Sequence, residues 1–230
     1  MIVYYAYTNS VTRPHGLIHG KEPRVAIKEF VDDASELRFL KCPAYTDVMK
    51  NVFGVPSWFN LDLDVVEGGL NSNVDQDFFN NYVTVHNVKN KVYALEQSVM
   101  FIAKDDSLEM TQEHPNMVDN KFTKSCSVIS GRFDIGKHFR MLSCAFFIRQ
   151  GVNKVSIGED DIIYNLRFNT KNKIKLVPFF MSPKFESLTQ NLGFKNTKSN
   201  SYKSLDYYYK LFKKKKLKKL LIKEIKNNLL

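Results

Sequence analysis

The chain has 230 residues, 43% of them apolar with 18 Phe and 11 Tyr, enough for a buried core without disulfide or metal staples. Its formal charge is +10, but residues 207–230 hold nine lysines and one acid, so about +8 sits in one tail and the body is nearly balanced. This distribution argues against a DNA-reading domain with basic charge spread over its surface, and so does the presence of only seven Arg, the usual bidentate reader of guanine and phosphate.

In chain order, residues 1–7 are β-branched and aromatic and read as a strand, followed by a loop punctuated by Pro14, Gly16, Gly20 and Pro23. Strands are predicted at 25–30 and 38–40. A helix is predicted from Cys42 to Gly54, with Pro43 in its first turn and Gly54 as its stop. Residues 59–65 alternate apolar and polar, the pattern of a half-buried strand, up to a Gly68-Gly69 turn. Further strands fall at 82–86, 92–95 and 99–103.

From Cys126 onward the pattern is plainer. Apolar segments at 126–129, 142–148, 154–157, 162–168 and 174–180 are separated by turn residues at Gly131, Gly151, 158–161 and 169–172. Short strands at this spacing without intervening helices predict a mainly β fold, an antiparallel sandwich or barrel with a few short helices. Ser182 and Pro183 then open a helix that runs to Gly193, the serine as cap and the proline in the first turn.

Three units are expected: a β-rich body over 1–194, a polar linker over 195–204, and a Lys-rich amphipathic helix over 205–230. In the last, Leu205, Tyr209, Phe212, Leu217, Leu220, Leu221, Ile225 and Leu229 form an apolar stripe flanked by lysines. The stripe can dock on the body or on a second copy with the lysines solvated. Alternatively, Lys213, Lys214, Lys215, Lys216, Lys218 and Lys219, with Tyr207, Tyr208 and Tyr209 beside them for stacking, can contact nucleic acid or an anionic surface. Those nine residues are the candidate binding set.

Catalytic and metal-binding patterns are sparse. His15 and His19 are four apart, but Pro14, Gly16 and Gly20 disfavour a helix there, and His86, His114 and His138 are scattered. No H-E-x-x-H, G-x-S-x-G, G-x-x-x-x-G-K-[ST] or G-x-G-x-x-G occurs. Cys42, Cys126 and Cys144 are odd in number and lack C-x-x-C spacing, which speaks against a disulfide framework and a four-thiolate zinc site. Cys42 precedes a proline at a helix start, where a thiolate would be stabilised, although a small buried side chain explains it as well. Acid pairs occur at Asp62/Asp64, Asp75/Asp77, Asp105/Asp106 and Asp160/Asp161, and the last sits in the turn before Ile162, where Asp suits the turn geometry. No cofactor or metal is expected. The N-terminus lacks a signal-peptide pattern and no apolar run approaches the ~20 residues of a membrane span, so a soluble protein made in the cytosol is expected.

Several motifs in order carry a resemblance: Cys42-Pro43-Ala44-Tyr45-Thr46-Asp47 with Lys50-Asn51-Val52-Phe53, Asp75-Gln76-Asp77-Phe78-Phe79, Asp106-Ser107-Leu108-Glu109-Met110, Gly131-Arg132-Phe133-Asp134-Ile135-Gly136-Lys137 with Phe139-Arg140, and Met181-Ser182-Pro183. Over residues 1–190 the chain resembles a family of tailed-bacteriophage proteins of the large myovirus type, which has no established activity. The resemblance implies a source, and with it a location in the host cytoplasm or the virion.

Within that stretch, residues 131–168 are similar in layout to the β-clip of trimeric dUTPases and dCTP deaminases. That similarity implies Asp134 as the base that activates water, Phe139 as the aromatic beside the uracil pocket and Arg140 as its neighbour, with 193–197 in place of the phosphate loop. The P-R-S-S phosphate motif of those enzymes is absent and the loop has lost most of its glycines. The reading favoured by the residues is a non-catalytic β-rich binding, structural or accessory protein. Its partner is a protein or a second copy, or, through the tail, nucleic acid or an anionic surface. A β-clip nucleotide hydrolase or deaminase and a nucleic-acid-binding accessory protein are the alternatives.

Overall fold

The computed structural model describes residues 1–7, 21–27, 38–137, 141–190 and 217–230. Short runs of β-branched and aromatic residues, too brief for helices and broken by turn residues, become strands throughout. In chain order these are β1 (Ile2–Tyr7), β2 (Arg24–Val25), β3 (Val52–Pro56), β4 (Leu61–Val66), β5 (Gly69–Ser72), β6 (Val83–Asn87), β7 (Val92–Ala103), β8 (Glu109–Glu113), β9 (Cys126–Val128), β10 (Gly131–Asp134), β11 (Met141–Ile148), β12 (Lys154–Ile157), β13 (Ile162–Phe168) and β14 (Lys175–Pro178). Among them lie the helices α1 (Pro43–Val48), α2 (Gln76–Tyr82), α3 (Lys121–Ser125), α4 (Pro183–Gln190) and α5 (Leu217–Asn227).

The strands form three sheets, and the fold is mainly β. The first sheet runs β14-β1-β7-β11-β9, with β6 also on β7; the second runs β10-β8-β13-β3-β2; the third is β12-β4-β5. Among these pairings only β1 with β14 is parallel. The sheets share one core. Tyr5 stacks on Phe101 of the first sheet at 6.2 Å, and Phe101 meets Phe168 of the second edge-on at 6.4 Å. Leu61, Leu63, Val155 and Ile157 bring the third sheet into the same cluster.

A second core lies on the outer face of the first sheet. In β1 and in the last part of β7, residues of both parities are apolar and buried, so both faces of these strands need cover. Val3, Tyr5 and Phe101 enter the main core; Tyr4, Ala6, Met100 and Ile102 point outward to Phe179, Met181, Phe185 of α4, and Leu221 and Ile225 of α5. Leu221 and Ile225 are both fully buried, and burying each stabilises the fold by roughly 1.5–3 kcal/mol. After α5 the chain turns along the outer edge of β14, with Phe180 N–H donating to Asn228 O at 2.8 Å and Leu229 bridged to Phe179. An exposed strand edge is thereby partly paired.

Several elements differ from the sequence reading. The helix predicted over 42–54 ends at Val48, because Asn51 takes a left-handed φ of 59° that asparagine tolerates and Val52 and Val55 are fully buried on opposite faces of β3. Gly54 is therefore a strand residue, with the Ile162 side chain packed where a Cβ would sit 3.0 Å away. Residues 38–40, predicted as a strand, form a 3-10 turn over Arg38–Lys41 leading into α1. The strand predicted at 25–30 is confined to Arg24–Val25, and residues 28–30 lie outside the described residues. The strands predicted at 92–95 and 99–103 are one, β7. The polar interruption does not break it, since Glu96 still pairs with Ser143 of β11 and its carboxylate accepts from the Thr84 hydroxyl at 3.1 Å. Helices α2 and α3 and strand β8 were not anticipated; Asp75 and Asn120 cap the two helices through their side chains. Ser182 caps α4 as predicted, its Oγ accepting from Phe185 N–H at 3.1 Å.

Candidate functional site

Within α5 the apolar residues repeat at the helical period, so one face is claimed by the second core and the lysines are forced onto the others. Lys219, Lys223 and Lys226, at i, i+4 and i+7, form one exposed stripe, with Leu220 half exposed beside it. Among the described residues none of the three makes an ion pair, whereas Lys218 at the edge of the interface reaches Asp106 Oδ1 at 3.1 Å and the Asp105 carbonyl. Lys226 lies in the last turn, where the helix dipole favours a cation. Of the predicted binding set, Tyr207, Tyr208, Tyr209, Lys213, Lys214, Lys215 and Lys216 lie outside the described residues, as does the predicted linker. Lys218 and Lys219 are placed, one held and one facing outward. Lys223 and Lys226 belong to the exposed stripe too, although the sequence reading left them out; their spacing from Lys219 was the available signal.

Asp134 ends β10. Its Oδ1 accepts from Gly136 N–H at 3.0 Å and from Leu108 N–H at 3.4 Å, and its Oδ2 pairs with Lys137, whose ammonium is held protonated to higher pH by that bond. Both carboxylate oxygens thus close a turn of the chain against the 104–108 loop. Phe139, Arg140 and 193–197, which the β-clip layout would place beside Asp134, lie outside the described residues.

Three members of the acid pairs are engaged by the fold itself. Asp75 caps α2 by accepting from Phe78 N–H at 2.8 Å, Asp161 accepts from Gly158 N–H at 2.7 Å, and Asp160 pairs with Arg24 at 2.8 Å. Among the described residues no three His, Cys, Asp or Glu side chains gather closely enough to share a metal ion. Cys126 and Cys144 are buried, and burial pushes the Cys126 thiol up to about 12 and Cys144 higher still. His114 accepts from Val128 N–H through Nδ1 at 3.3 Å, and burial, aided by the Arg149 charge, lowers its proton affinity. His15, His19 and His138 lie outside the described residues.

A groove of about 560 Å³ that sequence reasoning missed runs between the third sheet and α3, walled by Asn60, Asp62, Asn73, Lys121, Ser156 and Asp161. These residues come from four separate stretches of chain, 60–62, 73, 119–124 and 156–161. They converge because β4 pairs antiparallel with both β5 and β12 and because α3 packs on β12. Asp62 lies across from Ser156 in the β4–β12 register, and the Ser156 hydroxyl, followed by the Lys154 ammonium, holds its carboxyl below the usual range.

No helix among the described residues is long and apolar enough to cross a membrane. Comparison of the chain with protein-family models and with curated proteins returns no match.

Proposed function

We propose that the protein is a non-catalytic β-rich binding or accessory module, of the tailed-phage kind its motifs resemble, that offers the lysine face of its C-terminal helix to nucleic acid. The observation that carries this reading is the stripe Lys219, Lys223 and Lys226: three ammonium groups, without an ion pair among the described residues, on the outward face of a helix whose inward face is fixed in the second core. Docking leaves the helix little freedom to lose on binding, and each lysine that neutralises a phosphate releases condensed counterions. In sequence the stripe continues from Lys213–Lys216 and the three tyrosines, a lysine run next to stacking side chains that suits single strands. Scarce Arg fits contact without sequence preference. The setting that goes with this reading is the host cytoplasm or the virion.

The test is a salt series of binding to an oligo-dT and to a duplex, for the full chain and for a Lys219→Gln/Lys223→Gln/Lys226→Gln variant. The variant should keep its melting temperature, bind more weakly and lose roughly two units of slope in the plot of log affinity against log salt. Equal affinity and slope in the two proteins, or no salt-dependent binding by the unaltered chain, would refute the proposal. In the second case a protein partner takes precedence, and mass spectrometry of purified particles for the chain at fixed stoichiometry is the next measurement.

A further inference from the structure

We infer that the groove between the third sheet and α3 is a binding site for a small, uncharged, polyhydroxylated ligand of the saccharide class. It is separate from the lysine face of α5 and does not depend on it.

The size of the groove fits a small ligand, since about 560 Å³ is within the usual range for such pockets. The way its walls spend their hydrogen bonds narrows the class. Asn60 Oδ1 accepts from Glu159 N–H at 2.8 Å, and Asn73 Oδ1 accepts from Asp62 N–H at 2.8 Å. A carboxamide tethered through its oxygen has its NH₂ group held in a set direction, and neither Nδ2 has a partner among the described residues. Asp161 is tethered the same way, with Oδ2 taken by Gly158 N–H at 2.7 Å and Oδ1 without a hydrogen bond among the described residues. Asp62 is an ionised acceptor on the same wall, its Oδ2 shared with the Lys154 ammonium at 3.2 Å, and Lys121 makes no ion pair among the described residues. The groove therefore holds pre-set donors and pre-set acceptors side by side.

A sugar hydroxyl both donates and accepts, so neighbouring hydroxyls on a ring answer a carboxylate and a carboxamide at once. The charge balance excludes the obvious competitors. Asp119 and Lys124 neutralise each other at 2.9 Å and Lys154 pairs with Asp62 at 3.2 Å, which leaves Asp161 against Lys121 and a groove close to neutral. A groove without net charge gives a phosphate or a simple cation no attraction to offset the cost of leaving water. An uncharged ligand rich in hydroxyls avoids that cost. The donors are also set before binding, which reduces the ordering cost of capture.

The experiment is a titration of the full chain, followed through the side-chain NH₂ signals of Asn60 and Asn73 in ¹H–¹⁵N spectra. The probes are glucose, galactose, N-acetylglucosamine, maltose, lactose and chitobiose, with inorganic phosphate and adenosine monophosphate as the charged competitors. At least one sugar should shift both signals saturably. Asn60→Asp and Asn73→Asp keep an oxygen for the backbone N–H while removing the donor, so each should fold as the parent does and weaken that sugar by about tenfold, the effect of one lost hydrogen bond. If no sugar of the panel moves the Asn60 and Asn73 signals, the inference falls. It falls equally if phosphate or adenosine monophosphate moves them in place of sugars, or if the folded aspartate variants bind the sugar as well as the parent.

Discussion

The Ser182 hydroxyl donates to Glu224 Oε1 at 2.8 Å while its oxygen accepts from Phe185 N–H at 3.1 Å, so one side chain both caps α4 and ties it to the middle of α5. Lys184 completes the link with a 3.1 Å contact to Glu224 Oε2. The Ser182 hydroxyl, and after it the Lys184 ammonium, hold the Glu224 carboxyl below the usual glutamate range.

This link has a pH signature. The folded protein binds the Glu224 proton less readily than the unfolded chain, so the contribution is present above the ordinary glutamate range and is lost as pH falls through the folded value. Melting temperatures measured from neutral to about pH 3 should therefore converge for the parent and Glu224→Gln as the pH drops. Parallel curves with a constant gap would show that the carboxylate does not contribute in this way.

The second core makes the tail part of the fold. Leu221→Ala and Ile225→Ala should each cost about 2–5 kcal/mol in urea unfolding, because both side chains are fully buried against the first sheet. Leu220→Ala, on the half-exposed side of the same helix, should stay within about 0.5 kcal/mol. Removing residues 217–230 should expose Tyr4, Met100 and Ile102 and increase dye binding to apolar surface. For that reason the charge of α5 is tested by substitution and not by deletion.

Thiol accessibility gives a third check. Cys42 is exposed, whereas Cys126 and Cys144 are buried with their thiols pushed up by burial. Iodoacetamide at pH 8 should add one label to the native protein, at Cys42, and three after denaturation, as read by mass spectrometry. Rapid native labelling at Cys126 would contradict the packing of β9 on β11.

Gly136 stands where a side chain cannot. A Cβ there would lie 2.6 Å from the Asp106 carbonyl carbon and oxygen, in the turn that Asp134 fastens to the 104–108 loop. Gly136→Ala should destabilise by about 1–3 kcal/mol, whereas Gly69→Ala, with open space around it, should fall within about 0.5 kcal/mol, both by thermal or urea unfolding.

Much of the fold was legible locally. The strands at 142–148, 154–157 and 162–168 and the Ser182 cap follow from patterns a few residues long, and the structure places them within a residue of expectation. Where reading failed, a longer-range contact outweighed the local pattern. Asn51, stitched by its side chain to Thr170, Asn172 and Ile174, ended α1 early and freed β3 to pair with β13. Glu96, polar in mid-strand, looked like a break until β6 and β11 flanked it.

The sequence by itself determined the mainly β class, the concentration of lysine in the C-terminal segment and the periodicity that separates its apolar from its cationic face, because all three are properties of composition and short spacing. Tertiary structure alone decided that this apolar face closes a second core over β1 and β7, and that Asn60, Asn73, Asp62 and Asp161 share one groove. Such juxtapositions depend on strand register and helix docking between segments far apart in the chain, and no local pattern encodes them.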